Sequence, residues 1–194
     1  SSLYYSQTEM TTVCGVTQLP STPRLNNPNN VPVTYSSSNT SVATVNSSTG
    51  NLTSVVGAGE TIIKATFVGN SNYEATSTQF KLIVIKGTPT LSFAQSKVTT
   101  TYGATLMPAT PKLNNPQNVP VTYSSSNTSV ATVNSSSGAI TSVVGAGETK
   151  ITASFAGNTN YKPASAQYTL LVEKYTPKVT APVLNGTAYY GGDI

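Results

Sequence analysis

The stretch VTYSSSNTSVATVNSS beginning at Val33 is written again, letter for letter, beginning at Val121, an offset of 88 residues. The same offset carries LNNP from Leu25 to Leu113, SVVGAGET from Ser54 to Ser142, and GNSNY at Gly69 to GNTNY at Gly157. No gap interrupts the register. A period this long exceeds that of a solenoid unit and matches one small β-sandwich domain. The chain therefore divides into a first repeat over residues 1–88 and a second over residues 89–176. At the far end KYTPKVTA from Lys174 aligns with KGTPTLSF from Lys86, and AYYGGDI from Ala188 aligns with TTYGATL from Thr100. Residues 177–194 thus read as the opening of a third repeat, cut off partway, and the chain as a fragment of a longer array.

The differences between the copies say how each is folded. Ile62, Lys64, Thr66 and Val68 become Lys150, Thr152, Ser154 and Ala156, whereas Ile63, Ala65 and Phe67 recur as Ile151, Ala153 and Phe155. Change and identity alternate with period two, as along a strand with one buried face. Leu82 and Val84 persist as Leu170 and Val172, while Lys81, Ile83 and Ile85 become Thr169, Leu171 and Glu173. A buried unpaired carboxylate is costly, so the exchange of Ile85 for Glu173 places that face toward water or a neighbouring domain. No segment carries a capped helical pattern. Short strand-like runs lie between turn-rich stretches, about seven per repeat by the spacing rule for sandwiches. The fold expected is all-β: two tandem sandwiches and the first strands of a third. KGTP and KYTP are the linkers, stiffened by proline.

Composition removes most catalytic chemistry. The chain contains no histidine, and Asp193 is its one aspartate. Ser–His and Cys–His nucleophile arrangements are therefore ruled out. Glu9, Glu60, Glu74, Glu148 and Glu173 are isolated from one another and form no calcium loop. No catalytic residue, cofactor or metal site is expected, and the chain reads as not an enzyme. The net charge of +4 comes from scattered lysines with no basic stripe, which argues against nucleic acid. No apolar run is long enough to span a membrane, and no signal-peptide pattern stands at the start.

On these residues the chain resembles the group 2 bacterial immunoglobulin-like domains of intimin- and invasin-type surface proteins. The pattern is a strand ending in Ser-Ser-x, then S-V-A-T-V, a glycine turn, a short strand and G-x-x-x-I-x-A. It falls on Ser37 to Asn39, Ser41 to Val45, Gly50, and Gly59 to Ala65, and again on Ser125 to Asn127, Ser129 to Val133, Gly138, and Gly147 to Ala153. The resemblance covers both repeats. It implies an immunoglobulin-like sandwich, export, and service as a spacer or adhesive stalk on a bacterial cell surface. The expected partner is a host or neighbouring-cell surface protein or glycan, and the expected form a monomeric, elongated array.

Several features admit a sharper reading. Asn39, Asn46, Asn51, Asn127 and Asn134 begin Asn-x-Ser/Thr sites. The plainer reading packs Val33, Tyr35, Val42 and Val45 inward and leaves the hydroxyl residues on solvated faces. Cys14 is the single cysteine and replaces Tyr102 and Tyr190 in the register, which reads as a substitution at a semi-buried strand position. Tyr35, Tyr123, Tyr73 and Tyr161 recur in pairs at positions expected to face the core or close a corner. Glu60 with Lys86, and Glu148 with Lys174, would suit an isopeptide crosslink only if gathered in a core. The alternative function is a carbohydrate-binding accessory module of a polysaccharide-processing surface protein. Its aromatic platform would have to be built from tyrosines, for the chain has no tryptophan.

Overall fold

A computed structural model describes residues 2–180. The expected third repeat falls largely outside them. The first repeat forms strands β1 (Tyr4–Tyr5), β2 (Glu9–Val13), β3 (Leu25–Asn26), β4 (Thr34–Ser37), β5 (Ala43–Val45), β6 (Leu52–Val55), β7 (Gly59–Phe67) and β8 (Thr76–Ile85). The second forms β9 (Ser92–Phe93), β10 (Lys97–Thr101), β11 (Leu113–Asn114), β12 (Thr122–Ser125), β13 (Ala131–Val133), β14 (Ile140–Val143), β15 (Gly147–Phe155) and β16 (Ala164–Glu173). Every strand of the second sits 88 residues after its counterpart, and the described residues contain no helix.

Each copy is an immunoglobulin-like sandwich. One layer is the four-stranded sheet β2-β8-β7-β4, repeated as β10-β16-β15-β12. The other is built from the ladders β1–β3 and β5–β6, repeated as β9–β11 and β13–β14. The opening segment changes layers: Tyr4 and Tyr5 pair with β3, and from Glu9 the chain runs parallel to β8. That crossover gives both layers a partner strand at an edge that would otherwise be bare. The alternation read from the sequence is the alternation of burial. Ile63, Ala65, Phe67, Leu82 and Val84 are buried, and so are Ile151, Ala153, Phe155, Leu170 and Val172. Ile85 is exposed where Glu173 stands in the second copy, which removes the apparent conflict of an apolar residue exchanged for a charge.

The polar run turns out to be partly internal. Ser37 and Ser38 do not simply cover a solvated face, because both hydroxyls reach the buried Thr61 Oγ1, at 2.8 and 3.3 Å. The Asn39 amide donates to the same oxygen at 2.9 Å. Ser125, Ser126, Asn127 and Thr149 reproduce the cluster. Thr61 is 2% exposed, and a buried hydroxyl without partners would be costly; the serines supply them. The asparagines serve local turns. The Asn39 side-chain oxygen accepts from the Ser41 amide, and that of Asn46 from the Ser48 and Thr49 amides. At the tip of that hairpin Gly50 has a φ of 74°, and a Cβ there would lie 2.6 Å from the Tyr35 ring. Tyr35 packs on the core edge as expected, and only glycine lets it lie so close to the turn.

One core substitution is compensated across the sandwich. Tyr5 meets Phe80 edge-to-face at 4.9 Å in the first copy; Phe93 meets Tyr168 at 4.9 Å in the second. The tyrosine and phenylalanine have exchanged layers with the geometry kept. The Tyr5 hydroxyl is buried without a hydrogen-bond partner among the described residues. Burial, with Tyr35 adding to it, pushes the Tyr5 phenol up to about 12. The native state thus favours the neutral phenol, and the unfolded chain loses this proton first as pH rises past about 10. Stability from this group is complete below pH 10 and declines between 10 and 12, by roughly 1 kcal/mol at pH 11. Tyr5→Phe is expected to raise stability at pH 7 by about 1 kcal/mol, since it removes an unsatisfied hydroxyl. It should also abolish this alkaline loss. Urea unfolding of both proteins at pH 7 and pH 11 checks both statements, and a clear loss of stability at pH 7 would show that the hydroxyl has a partner.

Candidate functional site: the junction between the repeats

The loop before the last strand of each repeat is set by one asparagine. In the first copy the Asn70 side-chain oxygen accepts from the Asn72 and Tyr73 amides, each at 2.9 Å, while the Asn70 amide donates to the Tyr73 carbonyl. Asn158 does the same for Asn160 and Tyr161. The loop is therefore rigid by its own chemistry, and it projects an Asn–Tyr pair from the end of the sandwich.

In the second copy that pair meets the first repeat. The Asn160 side-chain oxygen accepts the Ala58 amide at 3.1 Å, and its carbonyl accepts the Gly87 amide at 3.0 Å. The Lys162 amide returns a bond to the Gly87 carbonyl at 2.8 Å, so Gly87 and Tyr161 form a parallel β-bridge. Lys86 Nζ donates to the Asn158 carbonyl at 2.8 Å. The Tyr161 ring lies on two glycines: a Cβ on Gly15 would come 2.6 Å from its hydroxyl, and one on Gly87 would come 3.1 Å from the ring edge. A Cβ on Gly87 would also fall against the Cys14 carbonyl oxygen. Gly57 is close as well, its Cβ position 3.1 Å from the Asn160 side-chain oxygen. Glycines thus form the seat, and backbone bonds fix the register of the tyrosine on it.

This arrangement corrects two expectations. Tyr73 and Tyr161 do not face a core: Tyr73 is 46% exposed, and Tyr161 is half-buried because the neighbouring repeat covers it. Cys14 is not semi-buried within a strand. It lies just past β2, fully buried at the end that receives Tyr161, whereas Tyr102 at the same register is exposed. Burial pushes the Cys14 thiol up, with the Gly15 and Ala58 backbone opposing, so it stays protonated at neutral pH. Lys86 spends its ammonium on the Asn158 carbonyl at an exposed site, and Glu60 lies 3.8 Å from Lys81 rather than beside Lys86. Among the described residues neither buried cluster contains a lysine, glutamate or asparagine, so the groups an isopeptide bond needs are not gathered there. Lys81 also reaches Glu9 at 3.3 Å, an exposed pairing worth less than about 1 kcal/mol. Among the described residues no group of three or more His, Cys, Asp or Glu side chains could hold a metal ion.

The linker is where the copies differ in a way that matters. Gly15 and Gly57 recur as Gly103 and Gly145, but Gly87 becomes Tyr175. The seat found at the end of the first repeat is therefore not reproduced at the end of the second.

No protein-family model and no curated protein matches the sequence. Among solved structures, Drosophila N-cadherin EC1-3 is similar at 10% identity and a TM-score of 0.36, covering 90% of this chain and 68% of that one. A SusE-like surface located polysaccharide binding protein from Bacteroides thetaiotaomicron is similar at 12% identity and a TM-score of 0.34, with 90% and 34% covered. Domains 1-6 of the surface layer protein SbsC give 18% identity and a TM-score of 0.36, with 80% and 22% covered. The chain spans half the length of a longer N-cadherin structure, EC1-4, that it also resembles. At these identities no residue role transfers.

Proposed function

We propose that this chain is a non-catalytic structural or adhesive stalk segment of an exported bacterial surface protein, with domains over residues 1–88 and 89–176 and a third beginning at 177. The observation that carries this reading is the seat itself: Asn160 and Tyr161 of one sandwich engage Gly15, Ala58 and Gly87 at the end of the other. A flexible tether needs no such contacts. A spacer that must hold its length and angle does, because a short linker alone leaves neighbouring domains free to move. The likeness to group 2 bacterial immunoglobulin-like domains supports a place outside the cell. It also supports a role in presenting distal domains, or in weak multivalent contact with a surface protein or glycan.

Small-angle scattering tests the proposal. The distance distribution should be that of an elongated particle, with a shoulder from the separation of the sandwich centres. A compact profile, with the sandwiches folded side by side, would overturn it.

A further inference from the structure

The first repeat carries the same projecting loop as the second, but on an end that no described residue covers. There the structure shows an open groove of about 630 Å³, lined among others by Ser2, Leu3, Asn27, Phe67, Tyr73 and Glu74. Shifted by 88 residues, this is where Gly87 of the linker is held against the second repeat. Burial follows the linker. Asn160 and Tyr161 are half-buried where Asn72 and Tyr73 are exposed, and Val119 is 5% exposed where Val31 is only half-buried. The Asn72 carbonyl and the Glu74 amide correspond to the Asn160 carbonyl and Lys162 amide that clasp Gly87, and neither has a hydrogen-bond partner among the described residues.

We propose that this groove is a strand-addition site for the extended, glycine-bearing end of another repeat of the first repeat's kind, joined ahead of it. The inference rests on the stalk reading and adds what the joint selects. The incoming glycine would accept from the Glu74 amide and donate to the Asn72 carbonyl, while Tyr73 lies on the partner's glycines and the Asn72 side chain accepts from the partner's equivalent of Ala58. An isolated groove of amides and one tyrosine would also suit a sugar. The paired, in-register backbone groups favour a peptide backbone. The end of the second repeat is not the partner it fits: Tyr175 puts a side chain where the joint has room for none. The contact is heterologous, head to tail, so it extends an array rather than closing a dimer.

The test places a duplicate of residues 1–88 ahead of the full chain, which sets Lys86-Gly87-Thr88 directly before Ser1. Amide hydrogen exchange at Glu74 should slow at least about tenfold relative to the unextended chain, and Asn72 and Tyr73 should shift in the NMR spectrum. The same fusion with Gly87→Tyr in the duplicate should lose that protection while amides along β7 and β15 keep theirs. A chain extended only by Lys-Gly-Thr provides the backbone pairing without an added domain, and should show partial protection. Unchanged exchange at Glu74 in both extended proteins would overturn the proposal, and so would equal protection with tyrosine at the joint. Scattering on the fusion separates the outcomes, since an elongated particle with an unprotected Glu74 defeats the groove and leaves the stalk standing.

Discussion

Gly87→Val releases the second repeat from the first and leaves both sandwiches folded. A side chain at residue 87 falls against the Cys14 carbonyl oxygen and the Tyr161 ring, and the backbone oxygen has no rotamer to escape by. Residue 87 must move, which breaks its two bonds to the Asn160 carbonyl and Lys162 amide. At about 0.5–1.5 kcal/mol each, those bonds represent roughly 1–3 kcal/mol of coupling. The new side chain meets the first core only at its edge, at Cys14; the rest of the buried clusters centres on residues such as Ile63 and Leu82 in one copy and Ile151 and Leu170 in the other. Hydrogen exchange should therefore accelerate at Gly87 and Lys162, with methyl signals of both cores unchanged. Gly57→Ala should act in the same direction and more weakly, because it meets one side-chain oxygen of Asn160 and one backbone oxygen, that of Ser41.

Ile63→Ala has the larger effect on stability, confined to one repeat. Ile63 is fully buried in β7 among Ala43, Phe80 and Leu82. Truncating a buried isoleucine to alanine costs about 2–5 kcal/mol, from lost burial and the cavity left behind. For a domain of this size that corresponds to a fall in melting temperature of roughly 10–30 °C. The buried clusters of the two copies share no residue, so a transition for residues 89–176 should persist near its original temperature. Calorimetry should then resolve two transitions, the lower belonging to the first repeat, and Ile151→Ala should mirror the result. A single transition that moves as a whole would contradict the proposed domain boundaries.

Most of the fold was legible because it is local and periodic. Identity at Ile63, Ala65 and Phe67 against change at Ile62, Lys64 and Thr66 marks the two faces of β7 without any coordinates. The two-residue strands β3 and β11 were not legible, since LNNP has no room for a period and pairs only because Tyr5 and Phe93 lie opposite. Nor was the Ser37–Thr61 cluster, which joins residues 24 apart whose types also suit a solvated surface. The sequence does hold its trace, for serine pair and threonine recur together in both copies.

The junction was least legible. Asn72 and Tyr73 are identical in type to Asn160 and Tyr161, yet one pair is exposed and the other seats a neighbour. Repeat comparison does not separate them, because the two loops are alike and what sets Tyr161 apart is its contact with Gly15 and Gly87 of the other repeat. The available signal was the linker, where glycine at 87 gives way to Tyr175 within an otherwise similar KxTP motif. A glycine outside any turn, at a point where chains meet, marks close backbone approach.

The central claim is that Gly87, Asn160 and Tyr161 turn a linker into a fixed joint. Residual dipolar couplings measured separately for the two repeats test it most directly. The account predicts one alignment tensor for residues 2–88 and 89–173 in the native chain, and two distinct tensors in Gly87→Val. Two independent tensors in the native protein, with different magnitudes of order, would contradict it.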